Sequence, residues 1–119
     1  MGFLKNVFAS KKESEIDIED FLNNLDVEEE TMYEEADAYV KPVSLLSEAD
    51  VATVMAEARQ GNIILLNIAD LSKRNAVKLR ELIGKIKEEV SDIDGDIARI
   101  SSDRVLVTPS KVKIIKKRN

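Results

Sequence analysis

The run Gly61-Asn62-Ile63-Ile64-Leu65-Leu66-Asn67-Ile68 decides how this chain folds. Its centre, Ile63 to Leu66, is apolar throughout rather than alternating, which marks a strand covered on both faces and therefore central in its sheet. Gly61 just ahead of it is a natural left-handed stop for a preceding helix. That helix starts at Ser47. Asp50 stands at the third position of a capping box, Leu46 and Val51 are spaced for a hydrophobic staple, and Val51, Val54, Met55 and Ala58 recur on one face.

Further towards the N-terminus, Val40 to Leu46 alternates as a strand, with Pro42 near its start at an edge or entry position. Downstream, Ser72 opens a second, longer helix in which Ala76, Leu79, Leu82, Ile83, Ile86 and Val90 return at helical spacing. Gly84 interrupts it at a cost of about 1 kcal/mol relative to alanine. Either a neighbouring backbone comes close or the position is simply tolerated, and we take the second reading. Asp94-Gly95 marks a turn, Asp96 to Ser101 and Arg104 to Thr108 form a hairpin across Ser102-Asp103, and Pro109 ends the second of these strands. Val112 to Ile115 reads as a last short strand. The order is β-α-β-α-β-β-β, with a parallel, right-handed first crossover. The expected fold is a small α/β sandwich, two helices on one face of a four- to five-stranded sheet. Its other face needs cover, and a dimer supplies it.

Charge divides the 119 residues into three parts. Residues 1–12 carry Lys5, Lys11 and Lys12 and no acid; residues 13–40 hold twelve of the 23 acidic residues and no Lys or Arg; from Lys41 onward fifteen basic residues face eleven acidic ones. Residues 13–39 therefore read as a disordered, self-repelling acidic linker, which makes the N-terminal extension flexible, and 40–119 as the folded domain. Ile18, Phe21, Leu22 and Leu25 fall at helical spacing inside the linker. They fit a second recognition segment or a transient helix, but the surrounding acids favour disorder.

On a helical wheel Met1, Phe3, Leu4, Val7 and Phe8 occupy an arc of about 160°. With Lys5, Lys11 and Lys12 they make a short interfacial helix, in which each lysine near an anionic surface contributes about 1 kcal/mol. The competing reading is a frayed start packed on its own domain. Met1-Gly2 resembles an acylation start, but Asn6 stands where Ser or Thr is required.

Composition narrows the function. With no Cys and no His, thiol nucleophiles, the usual zinc sites and the commonest general base are unavailable, and no Gly-rich phosphate loop is present. The expectation is a chain that is not an enzyme, takes no cofactor, metal or small-molecule substrate, and stays in the cytoplasm, lacking both a signal-type h-region and an apolar run of spanning length. Five aromatic residues equip it poorly for stacking on bases. The basic end at Lys111, Lys113, Lys116, Lys117 and Arg118 nevertheless leaves a nucleic-acid adaptor as the alternative.

The stretch Gly61 to Ile68, a helix, then Asp94-Gly95-Asp96-Ile97-Ala98-Arg99-Ile100 and Val105-Leu106-Val107-Thr108-Pro109 with Val112 shortly after, is similar in words and order to the SepF family. The basic amphipathic start and the acidic linker also match. What the resemblance implies is a dimeric adaptor that binds the C-terminal tail of FtsZ and holds it at the inner face of the cell membrane at the division site. Bacterial members carry a glycine near the end of the second helix, tied to polymerisation, where this chain reads Lys87-Glu88-Glu89-Val90, a pattern that resembles the archaeal members, which are dimers. By motif match the tail site takes Arg99 and Val105, with Ile97 and Val107 as apolar neighbours. It is expected on the sheet side near the dimer contact. Arg99 would hold a tail carboxylate by a bidentate contact. Val105 reads equally as a pocket or a core residue, and family members often carry an aromatic there.

Overall fold

The structure, a computed structural model, describes residues 18–25 and 35–116. The chain divides into two units, Met1–Glu34 and Glu35–Asn119. In the first, residues 18–23 form a short helix, α1, where the acidic composition pointed to disorder. Ile18, Phe21 and Leu22 share one side of it at the i, i+3, i+4 spacing, Leu25 follows in the turn after it, and Glu19 and Asp20 lie in its first turn, where negative charge suits the helix dipole. The lipid-facing residues expected at Met1, Phe3, Leu4, Lys5, Val7, Phe8, Lys11 and Lys12 lie outside the described residues, as do Lys117 and Arg118.

The second unit runs β1 (Val40–Ser44), α2 (Glu48–Arg59), β2 (Ile63–Asn67), α3 (Ala69–Arg74), α4 (Ala76–Asp92), β3 (Asp96–Ser101) and β4 (Arg104–Thr108). The strands form one four-stranded sheet in the order β1-β2-β4-β3. β1 is parallel to β2, whereas β4 is antiparallel to both of its neighbours. The apolar run at Ile63–Leu66 is thus central, as expected. Ile64 lies across from Val107 and Leu66 across from Val105, and all four are buried with Val51, Val54, Met55, Leu82, Ile86 and Val90 in one core beneath the helices. Burying side chains of this size contributes about 1.5–3 kcal/mol each. Residues of opposite parity, Ile63, Leu65 and Leu106, stay half-buried on the face without helices.

Local chemistry explains the boundaries. The Asp50 carboxylate accepts from the backbone N–H groups of Leu46 (2.8 Å) and Ser47 (3.0 Å) at the start of α2, the capping arrangement expected there. Gly61, at φ +94°, turns the chain out of α2 in a conformation that a β-carbon penalises. Beside it, buried Asn62 accepts from Tyr39 N–H (3.0 Å) through Oδ1 and donates to Glu57 (3.4 Å), fastening the approach to β1 onto the end of α2. Gly84 has no atom within 4 Å of where a β-carbon would sit, so tolerance is the right account of it.

Two expectations are corrected. The helix expected from Ser72 is two helices, because Asn75 leaves the helical region (φ −155°, ψ 84°) and its side chain accepts from Lys78 N–H at 3.0 Å, capping α4 anew. The strand expected at Val112–Ile115 does not form. There the carboxylate of Asp96 accepts from Ile114 N–H (2.9 Å) and Lys116 Nζ (2.9 Å), Asp94 accepts from Lys113 Nζ (2.8 Å), and Thr108 Oγ1 donates to the Val112 carbonyl (2.5 Å). Side chains, not a backbone ladder, hold this segment.

Candidate functional site

The site is built by the β3–β4 hairpin and the two helices that meet it. Entry to β3 depends on Asp94-Gly95. Asp94 takes φ +61°, and a β-carbon on Gly95 would overlap the Thr108 carbonyl oxygen and approach Val90 Cγ1 to 3.1 Å. Only glycine lets α4 and β4 converge here. β3 then pairs with β4 so that Ile97 opposes Val107 and Arg99 opposes Val105. The four residues singled out in the sequence are therefore two cross-strand pairs on one face, the face toward the helices.

Their exposures separate their roles. Val107 is 0% exposed and belongs to the core; Val105, at 5%, both seals the core and lines a surface groove of about 360 Å³. That groove lies between α3, α4 and the hairpin, with Leu79, Ile83, Ile97 and Val105 as its apolar lining and Lys87 and Arg99 as its cations. It opens on the helix-bearing side of the sheet. At this volume it is at the small end of binding pockets, enough for a few side chains. Leu79, Ile83 and Lys87 were not foreseen as site residues. Leu79 and Ile83 were legible as part of the α4 stripe, but they are the half-buried members of it, and periodicity does not distinguish core from groove.

Arg99 is exposed but not loose. Its Nε donates to the Ser101 carbonyl (2.9 Å) and its Nη2 to the Ser102 carbonyl (2.8 Å). β3 is an edge strand, and the ladder shifts register between Arg99 and Ser101, a bulge that places Ile100 as the extra residue, 52% exposed. At the other end of β3, Lys116 and the Ile114 N–H hold the Asp96 carboxyl well below its usual range, at about 2, and Lys113 lowers that of Asp94. This end is an electrostatic clasp for residues 113–116.

A second depression, about 420 Å³, lies between α2 and α4. Glu48, Lys85, Glu88 and Glu89 wall it, and Glu48 and Lys85 are already paired at 2.6 Å. Val51 and Ala52 complete its lining, which is more charged than that of the hairpin groove. Among the described residues no cluster of acidic side chains is arranged to hold a metal, and no helix is long and apolar enough to cross a membrane.

Comparison with known proteins agrees with this architecture. Residues 40–114 match the family model described as cell division protein SepF. An uncharacterized protein of Methanocaldococcus jannaschii is 26% identical over 101 residues, covering 85% of this chain and 68% of that one. A SepF-like protein from Pyrococcus furiosus superimposes with a TM-score of 0.63 at 26% identity, over 70% of this chain and 100% of that structure. A cell division protein SepF from Methanobrevibacter smithii, solved in complex with FtsZ-CTD, shares the fold with a TM-score of 0.57 at 14% identity, over 66% of this chain and 99% of that one. With its sheet order, its hairpin and this match over residues 40–114, the chain belongs to the SepF family of cell division proteins as an archaeal-type member.

Proposed function

We propose that this chain is a non-enzymatic adaptor that binds the C-terminal tail of FtsZ through the groove beside Arg99 and attaches it to the inner face of the cell membrane through residues 1–12. The observation that carries this reading is the groove itself: an apolar lining of Leu79, Ile83, Ile97 and Val105 with Arg99 and Lys87 beside it suits a short peptide with apolar anchors and a carboxylate. The Methanobrevibacter smithii relative in complex with FtsZ-CTD supports FtsZ as the source of that peptide. Wheel geometry and the lysines of residues 1–12 support the membrane contact. One such helix binds weakly. Two copies on a dimer, and many along a filament, raise the apparent affinity through effective concentration. The half-buried apolar face of the sheet, carrying Ile63, Leu65 and Leu106, supports a homodimer in which each copy covers the other.

Co-sedimentation of FtsZ with liposomes tests the whole bridge, using the full chain, a chain lacking residues 1–12, and Arg99→Glu. FtsZ should pellet with the intact chain alone. If the chain binds liposomes and never carries FtsZ, the partner assignment is wrong; if it binds no liposomes, the anchor is wrong.

A further inference from the structure

α1 and the groove are chemically matched. Ile18, Phe21 and Leu22 form an apolar stripe on the helix, Leu25 extends it into the turn that follows, and each is between 57% and 63% exposed. Glu19 and Asp20 are interleaved with them. The groove offers the complement, an apolar lining with Lys87 and Arg99. Helix-in-groove recognition reads anchors at this spacing, and carboxylates beside the stripe meet guanidinium and ammonium groups in charge-assisted contacts. The groove volume, about 360 Å³, accommodates roughly two large apolar side chains, which fits Phe21 with one leucine.

We infer that α1 of a second copy of this chain occupies the groove and competes there with the tail peptide, making the site self-occluding where copies crowd together. The inference rests on the adaptor reading for the identity of the competing peptide, but not for the α1 contact itself. A second copy is the source because seven acidic residues lie between Leu25 and Tyr39. A charged linker self-repels and extends, which carries α1 outward and within reach of a neighbouring copy. Occupancy then depends on local concentration, so that dispersed copies present open grooves and dense arrays present closed ones.

Two full-length variants test this. An acceptor carrying Phe21→Asp and Leu22→Asp has an altered α1 and an intact groove; a donor carrying Arg99→Glu has the reverse. A fluorescent peptide spanning residues 15–28 should bind the acceptor saturably, and roughly tenfold more weakly when Arg99→Glu is added to it. The donor should displace a labelled FtsZ tail peptide from the acceptor, and a donor that also carries Phe21→Asp and Leu22→Asp should not. If the residue 15–28 peptide fails to bind while the tail peptide binds, the inference is wrong and the adaptor reading survives. If the 15–28 peptide binds and the tail peptide does not, the α1 contact stands but its competitor, and the adaptor reading with it, is wrong. If the donor displaces nothing, yet the wild-type chain binds the tail more weakly than the acceptor does, the occupant is the chain's own helix and the second-copy assignment is overturned.

Discussion

Arg99 donates from Nε to the carbonyl oxygen of Ser101, 2.9 Å away, so one of the two cations of the groove is held by the hairpin that carries it. Nη2 adds a second bond to the Ser102 carbonyl at 2.8 Å. A guanidinium has five N–H donors. With two committed to the turn, the rest keep a fixed direction, which reduces the side-chain ordering that binding must otherwise supply.

This arrangement predicts a specific loss. Arg99→Ala should weaken FtsZ-tail binding by about 1.5–3 kcal/mol, the range for a hydrogen bond to a charged group, or roughly ten- to hundredfold in Kd. Because Arg99 is exposed, the midpoint of chemical denaturation should hardly move. Arg99→Lys should not restore affinity, since an ammonium cannot bridge two turn carbonyls and a carboxylate in one plane. Isothermal calorimetry with a tail peptide reads both affinities and a urea titration reads the midpoint; unchanged binding in Arg99→Ala would remove the residue from the site.

Gly84 and Gly95 should respond to alanine with opposite signs. At Gly84, in the exposed middle of α4, nothing stands within 4 Å of a new β-carbon, and Gly84→Ala should stabilise by about 0.5–1 kcal/mol through helix propensity and chain entropy. At Gly95 the new carbon meets the Thr108 carbonyl, a backbone atom that cannot rotate away, with Val90 Cγ1 behind it. Gly95→Ala should cost about 1–3 kcal/mol, as overpacking does. Paired urea titrations check both, and the same sign at both positions would contradict the account of the β3 entry.

The carboxyl of Asp96 ties the C-terminal segment to β3, and its charge makes that tie depend on pH. Its value in the fold, about 2, lies below the ordinary 3.8, chiefly through Lys116 and then the Ile114 N–H. A depressed carboxyl contributes stability that is complete above its unfolded value and lost as pH falls through 3.8 toward 2. Acid titration of stability should therefore show a decline in this window that Asp96→Asn flattens. Proton exchange at the Ile114 amide, followed by NMR, should accelerate in the variant at neutral pH. An Ile114 amide as protected in Asp96→Asn as in the wild type would show that the segment is held by something else.

Much of this was legible beforehand because it rests on local chemistry. The unbroken Ile63–Leu66 run identified the central strand, the Ser47 and Asp50 pair the start of α2, and Asp94-Gly95 the hairpin entry. The misreadings occurred where a local pattern had two solutions. Ser72 reads as the helix start, and the cap that the structure uses, Asn75, lies three residues further on. Val112 to Ile115 alternates like a strand, and only the fold brings Asp94 and Asp96 close enough to take over its polar groups. Ile97, Arg99, Val105 and Val107 came from motif resemblance; that they form two facing pairs is a matter of register, which a one-residue slip would have reversed. Which of them lines the groove depended on burial, and burial placed Val107 in the core.

The same parity argument points to where the proposed homodimer would make its contact. On the helix-free face, Leu65 lies across from Pro42 on one side and Leu106 on the other, and Ile63 stands beside Val40, which is 63% exposed. An apolar patch spanning three strands is costly to leave in water, and a two-fold axis through it lets each copy bury the other's Leu65. Leu65→Glu would place a charge on this patch twice per dimer, losing about 1.5–3 kcal/mol of burial per copy and adding repulsion between the two carboxylates. The side chain points away from the buried core, so the fold should survive. Light scattering after size exclusion should give half the wild-type mass, with an unchanged far-UV circular dichroism spectrum. FtsZ-tail affinity per chain should persist, because the groove lies on the opposite face, whereas liposome attachment should weaken as two anchors become one. A Leu65→Glu chain that remains dimeric would move the interface to another surface, and one that loses tail binding while folded would mean that the groove is completed by the second copy.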